Sequence, residues 1–443
     1  MQKQSLIRQI APIDGPIPDR PDIFIVRNSR KEKRMSQQPV LTPNKTVKTP
    51  GYAWVVLFSI YLATLAAPLS QSKVSPVLPI LRDTFGLDYY WAGWLISIFS
   101  VMGFVLALPA GFILQKIGIK VTGLISVGSL VVGSVLGAMA DGAFLLYFSR
   151  FIEGTGMGLI MVAAPAAISI WFPAEKRGLP MGLWASSVGV GIIAAMNLAP
   201  KLVEAYNWQA VWWACAAFSA IAFALFGILF RMPKEDEIRQ SSEQPAQDTS
   251  EGKPVSLTRA MANSSLWLVA IAFGMYNLTV MAWNGLYPDF LNTERGYSLN
   301  DAGLITSLLM LTGIFAGPIG GFISDRIGSR KKMIVIPYIL LAVLFLFPFT
   351  VTGWMIPAVM ILAGIMVGII APVILAAVPE IMKNPATIGI GMGVAALCQN
   401  LGMFIGPALF GALLGITTWE IAGYLMIPLC LVGIITAWTA KIR

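Results

Sequence analysis

Apolar and polar residues are arranged along this chain in long blocks, with no short amphipathic period. From Tyr52 onward there are twelve apolar runs, separated by short polar or Gly- and Pro-containing stretches. A run of about 20 residues at ~1.5 Å rise covers a ~30 Å hydrocarbon core, so each run predicts a membrane-spanning helix. Six predicted spans cover Tyr52–Pro79, Trp91–Leu114, Val121–Ala140, Phe144–Ile170, Pro180–Leu202 and Ala210–Phe230. Six more cover Ser264–Phe290, Leu299–Ile323, Met333–Thr352, Trp354–Met382, Thr387–Ile416 and Glu420–Ala440.

The polar blocks divide this all-α membrane protein. Residues 1–50 form a basic arm without the charged-then-apolar plan of a cleaved signal peptide, and are expected to be flexible and cytoplasmic. Met35 offers an alternative start to that arm. Residues 51–230 form a first six-helix bundle, 231–263 a solvated linker rich in Lys, Glu, Gln, Ser and Pro, and 264–443 a second bundle.

The halves repeat. Gly111-Phe112-Ile113-Leu114-Gln115-Lys116-Ile117-Gly118-Ile119-Lys120 is matched 210 residues later by Gly321-Phe322-Ile323-Ser324-Asp325-Arg326-Ile327-Gly328-Ser329-Arg330. The same offset pairs Ala92-Gly93 with Ala302-Gly303, Gly103 with Gly313, and Gly154 and Gly158 with Gly364 and Gly368. So many glycines in one register imply two bundles in the same orientation.

Composition agrees with the pattern: 56 % of the 443 residues are hydrophobic and 12 % charged, and the mean hydropathy is +0.74, values that a soluble domain does not carry on its surface. The net charge of +9 raises nucleic acid as a partner, but its distribution argues against one. Ten of the 31 Lys and Arg lie in the first 50 residues. The short loops after spans two, four, eight and ten hold Lys116, Lys120, Lys176, Arg177, Arg326, Arg330, Lys331, Lys332 and Lys383, whereas the opposite loops hold only Arg82, Lys201 and Arg295. Nine against three predicts that the first set, the linker and both termini face the cytoplasm, in contact with an anionic lipid surface. Cys215, Cys398 and Cys430 are isolated within apolar runs, and there is no histidine. That removes the usual zinc ligand and the Ser-His and Cys-His pairs, argues against a membrane-embedded enzyme, and leads us to expect no metal or cofactor.

Twelve spans in two parallel sixes, a long central linker and Gly-x-x-x-Asp-Arg-x-Gly-x-Arg after the eighth span resemble the major facilitator superfamily. Arg150 followed by Gly154, Gly156 and Gly158 resembles a second element of that family. The resemblance covers Gly51 to the C-terminus and implies an alternating-access transporter, expected to be a monomer in the cell membrane. Its signature residues here are Gly321, Asp325, Arg326, Gly328 and Arg330. Physically, glycine suits a close helix approach or sharp turn, and a carboxylate can sit at a helix N-terminus held by arginines. These residues are expected to latch the halves on the cytoplasmic side, the alternative being a purely topogenic role. Gln115 replaces the aspartate in the first copy, so Asp325→Asn should slow transport far more than Gln115→Ala; equal rates in an uptake assay would reduce both copies to topological markers. Gly313-x-x-x-Gly317-Pro318 resembles an antiporter pattern but falls on the eighth span rather than the fifth, which favours symport or uniport and close helix packing.

Charges inside a span point to function unless paired or able to snorkel. Three lie clear of the span ends: Lys73, Arg150 and Glu153. Arg150 and Glu153 share a helix face near the midplane, either as a structural ion bridge or as a proton-accepting carboxylate governed by its arginine. Lys73 falls in the outer half of the first span, either snorkelling to the rim or facing the cavity. The resemblance implies that the first helices of both halves line the cavity, so Lys73 and Arg150 against one glutamate favour an anion. The seventh and eleventh spans contribute Tyr276, Asn277, Trp283, Asn284, Tyr287, Gln399 and Asn400 as uncharged candidates for a ligand site, with Gln71, Asn197 and Ser186 as further polar positions. Trp171-Phe172-Pro173 with Glu175-Lys176-Arg177-Gly178 resembles the loop of nitrate/nitrite, cyanate and monocarboxylate porters. No arginine lies on the second or eighth span, which turns the expectation from nitrate toward proton-coupled uptake of a small organic carboxylate. The alternatives are an exporter of amphipathic or cationic compounds and a non-transporting sensor.

Overall fold

The computed structural model describes residues 50–107, 109–173, 176–233, 262–383 and 385–442. All but the last residue of the predicted arm, and most of the predicted linker, lie outside the described residues. Regular structure among them is helical throughout. The first half comprises α1 (Tyr52–Ser72), a 3-10 turn (Ser75–Val77), α2 (Leu78–Phe85), α3 (Tyr89–Leu106), α4 (Pro109–Ala138), α5 (Ala143–Trp171), α6 (Gly178–Ala205) and α7 (Trp208–Leu229). The second comprises α8 (Ser264–Thr293), α9 (Leu299–Ile327), α10 (Arg330–Leu344), α11 (Met355–Met382), α12 (Pro385–Leu414), α13 (Trp419–Tyr424) and α14 (Met426–Thr439). Eleven segments among the described residues are long and apolar enough to cross a membrane. The ninth predicted span, α10, has 15 helical residues, about 22 Å of helix, and continues as turns.

The helices differ from the predicted spans mainly at prolines, which supply no N–H to the helix ladder. Pro76 and Pro79 split the first span after Ser72. Pro109 separates α3 from α4, Pro348 leaves the Leu344 carbonyl without its helical donor at the end of α10, and Pro428 does the same for Tyr424 between α13 and α14. Helix continues through most of both motif copies: the first occupies the opening turns of α4, which is kinked at Gly118, and the second the last turns of α9, which ends before Gly328. Gly118 (φ 80°) and Gly328 (φ 68°) have positive φ, where a Cβ would be strained.

The repeated glycines outside the two motif copies are contact points. A Cβ on Gly154 of α5 would run into the Phe99 carbonyl of α3, and one on Gly364 of α11 into Thr312 and the Leu309 carbonyl of α9; Phe99 and Leu309 stand 210 residues apart. Gly93 and Gly303 repeat the relation between the halves, the first against the Pro407 carbonyl of α12 and the second against the Met196 carbonyl of α6. The halves therefore meet along two pseudo-equivalent seams, α3 with α12 and α9 with α6.

On the side away from the motif copies, further links join the halves. Arg82 pairs with Asp289 at 3.1 Å, and Asn300 donates to Glu204 at 2.5 Å. Tyr89 packs edge-on to Trp419 at 5.3 Å, and the Ala408 N–H donates to Ser97 Oγ at 2.9 Å. On the motif side, nothing lies within reach of a Cβ built on Gly111 or Gly321.

Candidate functional site

The site starts at the break in the first span. Ser70 and Gln71 sit in the last turn of α1, where carbonyls lack partners once the helix stops. The Arg150 guanidinium, from α5, supplies them: Nη1 donates to the Ser70 carbonyl at 2.5 Å and Nη2 to the Gln71 carbonyl at 2.9 Å. The carbonyls left open where α1 stops are thus capped by a charged side chain about 80 residues away.

Glu153, one turn further along α5, is wholly buried and gives both oxygens to cations. Oε2 accepts from Arg150 Nη1 at 2.6 Å. Oε1 accepts from Lys73 Nζ at 2.5 Å and from Ser134 Oγ of α4 at 2.7 Å. The Lys73 ammonium also lies 3.1 Å from Ser134 Oγ and 4.8 Å from the Trp212 ring of α7, while the Arg150 guanidinium lies 4.6 Å from the Phe99 ring. Lys73, Arg150 and Glu153 each have no exposed surface. Gly133 and Gly137 on α4 make room, since a Cβ on either would meet Glu153 or Trp212. Two cations on one carboxylate leave the cluster with one net positive charge.

Beside it lies a cavity of about 20 Å³ where five spans converge, large enough for about one water. Its polar lining is Gln71, Ser72 and Ser75 from the α1 break, Ser100 from α3 and Asn284 from α8; Met196, Met281 and Met403 supply much of the rest. Asn284 is 3 % exposed, and its Oδ1 has no hydrogen-bond partner. The charged cluster is behind this lining, joined to it through Gln71.

The structure separates the predicted candidates. Lys73 does not reach the rim: its side chain turns into the first half, where the snorkelling alternative has no place. Tyr276, Trp283 and Tyr287 also turn away from the centre. The Tyr276 hydroxyl donates to the Val367 carbonyl of α11 at 3.0 Å and the Tyr287 hydroxyl to the Pro348 carbonyl at 3.0 Å, while Trp283 packs on Tyr287 and Phe345. Asn277 and Asn284, seven residues apart, share a second face about 100° round α8; Asn277 donates to the Phe273 carbonyl at 2.8 Å. On α12, Gln399 is half-buried, and Asn400 Oδ1 abuts Gly103 of α3 at the seam. Ser186 and Asn197 are hydrogen-bonded back to their own helix. Ser134 and Trp212 were not predicted; the small-residue run around Gly133 and Gly137 is their one trace in the sequence.

At the motif, Gly328 makes the turn that its residue type predicts, but Gly321 makes no close helix contact in this conformation. Arg330 donates to Glu380 of α11 at 3.0 Å and to Ser324 at 2.9 Å, a link within the second half. Arg326 is exposed. The Asp325 side chain lies outside the described residues. No group of three or more His, Cys, Asp or Glu able to hold a metal occurs among the described residues.

A family model for the Major Facilitator Superfamily matches residues 60–287 and 269–442. The chain belongs to this superfamily and is a membrane transporter rather than an enzyme. It is 26 % identical to a hexuronate transporter of Bacillus subtilis over 285 residues, 62 % of this chain and 65 % of that one. It is 23 % identical to a probable sulfoacetate transporter of Cupriavidus necator over 62 % of this chain and 66 % of that one. A probable galactarate/D-glucarate transporter of Escherichia coli is 23 % identical over 81 % of this chain and 88 % of its own length. In fold it is similar to a bacterial homologue of the human lysosomal transporter Spinster, solved inward-facing and unoccupied, with a TM-score of 0.70, 14 % identity, and coverage of 89 % of this chain and 98 % of that one.

Proposed function

We propose that this transporter takes up a small organic acid anion together with protons by alternating access, with the motif side and both termini in the cytoplasm. The carrying observation is the buried carboxylate of Glu153, shared by Lys73 and Arg150. With Glu153 ionised, the cluster holds one net positive charge and both cations are occupied. A proton on Glu153 raises the net charge to two and releases the cations from their shared partner. The field at the adjoining cavity then favours an anion, whose charge in turn favours the protonated state, so the two ligands bind cooperatively. Because Arg150 also holds the Ser70 and Gln71 carbonyls, the change reaches the cavity wall through the α1 break. The names of three relatives, a hexuronate transporter and probable sulfoacetate and galactarate/D-glucarate transporters, support the charge of the substrate. In the far-side links and the open space at Gly111 and Gly321 we read a conformation closed on the outer face.

The test is uptake of D-glucuronate, D-glucarate and sulfoacetate into proteoliposomes with and without an imposed proton gradient, acid outside. The gradient should drive accumulation in the wild type and have no effect in Glu153→Gln, which should retain gradient-independent exchange. Uptake indifferent to both the gradient and the substitution refutes coupling through Glu153. Competition by lipophilic cations but not by carboxylates refutes the anion.

A further inference from the structure

On its far side the central cavity is covered by a charged contact between the halves. Ser75 and Gly285 line the cavity. Arg82 stands seven residues beyond Ser75 and Asp289 four beyond Gly285, so each lies one to two turns further out on nearly the same face of its segment. Arg82 Nη1 donates to Asp289 Oδ2 at 3.1 Å, while Arg82 Nε and Asp289 Oδ1 have no hydrogen-bond partner. The pair is held by one bond where an arginine and a carboxylate can make two. Asp289 is wholly buried and the Arg82 side chain 19 % exposed, and the guanidinium rests 3.6 Å from the centre of the Tyr89 ring of α3. Arg295, by contrast, is engaged within the second half, where it donates to the Phe349 carbonyl at 2.8 Å.

Opening this face parts the two charges, because they belong to opposite halves. Tyr89 belongs to the same half as Arg82, so the guanidinium stays on its ring and loses its carboxylate. It then stands at the entrance to the cavity with its planar fork unoccupied, and a carboxylate fits that fork through two parallel bonds. We propose that Arg82 is the docking point for the substrate's carboxylate on the outer face, and that Asp289 competes with the substrate for it. Closing requires Asp289 to regain Arg82, which sends the carboxylate inward, toward the positive cluster behind Gln71. This rests on the anion-uptake reading above and adds an entry site to it.

The experiment is initial-rate uptake of D-glucuronate, D-glucarate and sulfoacetate by cells that make the full-length protein and have no uptake of their own. Inside-out vesicles from the same cells give KM at the cytoplasmic face. For an acid that the wild type takes up, Arg82→Gln should raise the external KM about tenfold and leave the cytoplasmic KM unchanged. Asp289→Asn breaks the same contact but removes the competitor, so it should lower the external KM. Opposite shifts mark a ligand site, since a strut between the halves is lost equally in both variants. Arg82→Gln/Asp289→Asn should match Arg82→Gln, and serves if the single arginine variant does not fold with Asp289 left unpaired. Any result other than opposite shifts at the outer face overturns the inference and leaves the anion reading standing, as does an equal rise at both faces. Uptake of none of the three acids by the wild type overturns the anion reading and the inference with it.

Discussion

Glu153→Gln should destabilise this protein far more than Lys73→Met, although the two side chains share one ion pair. The reason is the excess of cation at the cluster. Removing Lys73 leaves Arg150 and Glu153 as a balanced pair at 2.6 Å, with Ser134 still donating to the carboxylate and the methionine filling the lysine stem against Trp212. Removing the charge of Glu153 leaves an ammonium and a guanidinium with no exposed surface and no counter-charge, and a buried charge stripped of its partner costs about 3–5 kcal/mol. The double variant Lys73→Met/Glu153→Gln should regain part of the loss, because only Arg150 is then unbalanced and it keeps the Ser70 and Gln71 carbonyls. Denaturation midpoints of the purified variants in one detergent decide the matter. Equal losses for the two single variants would mean that the cluster behaves as one isolated pair with the arginine outside it.

The second large effect is on the conformational equilibrium. Gly93→Val should prise the halves apart on the far side, because a side chain there runs into the Pro407 carbonyl across the α3–α12 seam. A backbone carbonyl cannot rotate aside, and overpacking of this kind costs about 1–3 kcal/mol, a shift of roughly fivefold to 150-fold toward the state in which the seam is open. Gly303→Val, at the matching place against the Met196 carbonyl, should act in the same direction. Spin labels at the exposed Tyr206 and Ile416, one on each half near this face, should report a longer distance in both variants. Gly154→Val should differ in kind: its obstacle, the Phe99 carbonyl, belongs to the same half, so the loss appears as lower stability in every conformation. Gly321→Ala, with open space around it, should leave the far-side distance unchanged. If Gly93→Val left that distance unchanged too, the seam would not be a moving part.

Much of this architecture is visible in the amino-acid order. Run length and composition locate the spans, because a backbone in hydrocarbon must satisfy its own hydrogen bonds and does so most simply as a helix. Within the spans the 210-residue register of glycines marks packing points, as at Gly93, Gly154, Gly303 and Gly364, where a carbonyl of the neighbouring helix comes too close for a Cβ; in the motif copies it marks turns and open space. The breaks at Pro76, Pro109, Pro348 and Pro428 use a missing N–H, but Pro68, Pro165, Pro288 and Pro407 lie inside continuous helices, so the residue type marks where a break is cheap and packing decides whether it occurs. The predicted spans ran through the breaks because hydropathy alone does not register a lost donor.

The candidate site was legible in its residue types and much less in its arrangement. Arg150 and Glu153 share a face by their spacing, so their pairing follows from helix geometry. Lys73 could not be placed from sequence: the turn after Ser72 decides which way it points, and its partners Glu153 and Ser134 come from two other helices. Tyr276, Trp283 and Tyr287 looked like cavity residues as much as Asn284 did. On a helix that is apolar nearly all round, hydrophobicity gives no preferred face, and the rotation of α8 is set by aromatic packing in the second half. By itself the sequence determined a duplicated, membrane-spanning helical chain with three charges inside it. Only the tertiary structure decided that Lys73 joins the Arg150–Glu153 pair and that the arginine closes the broken end of the first span. Each of these joins residues far apart along the chain, and neither spacing nor composition carries information about contacts between separate helices.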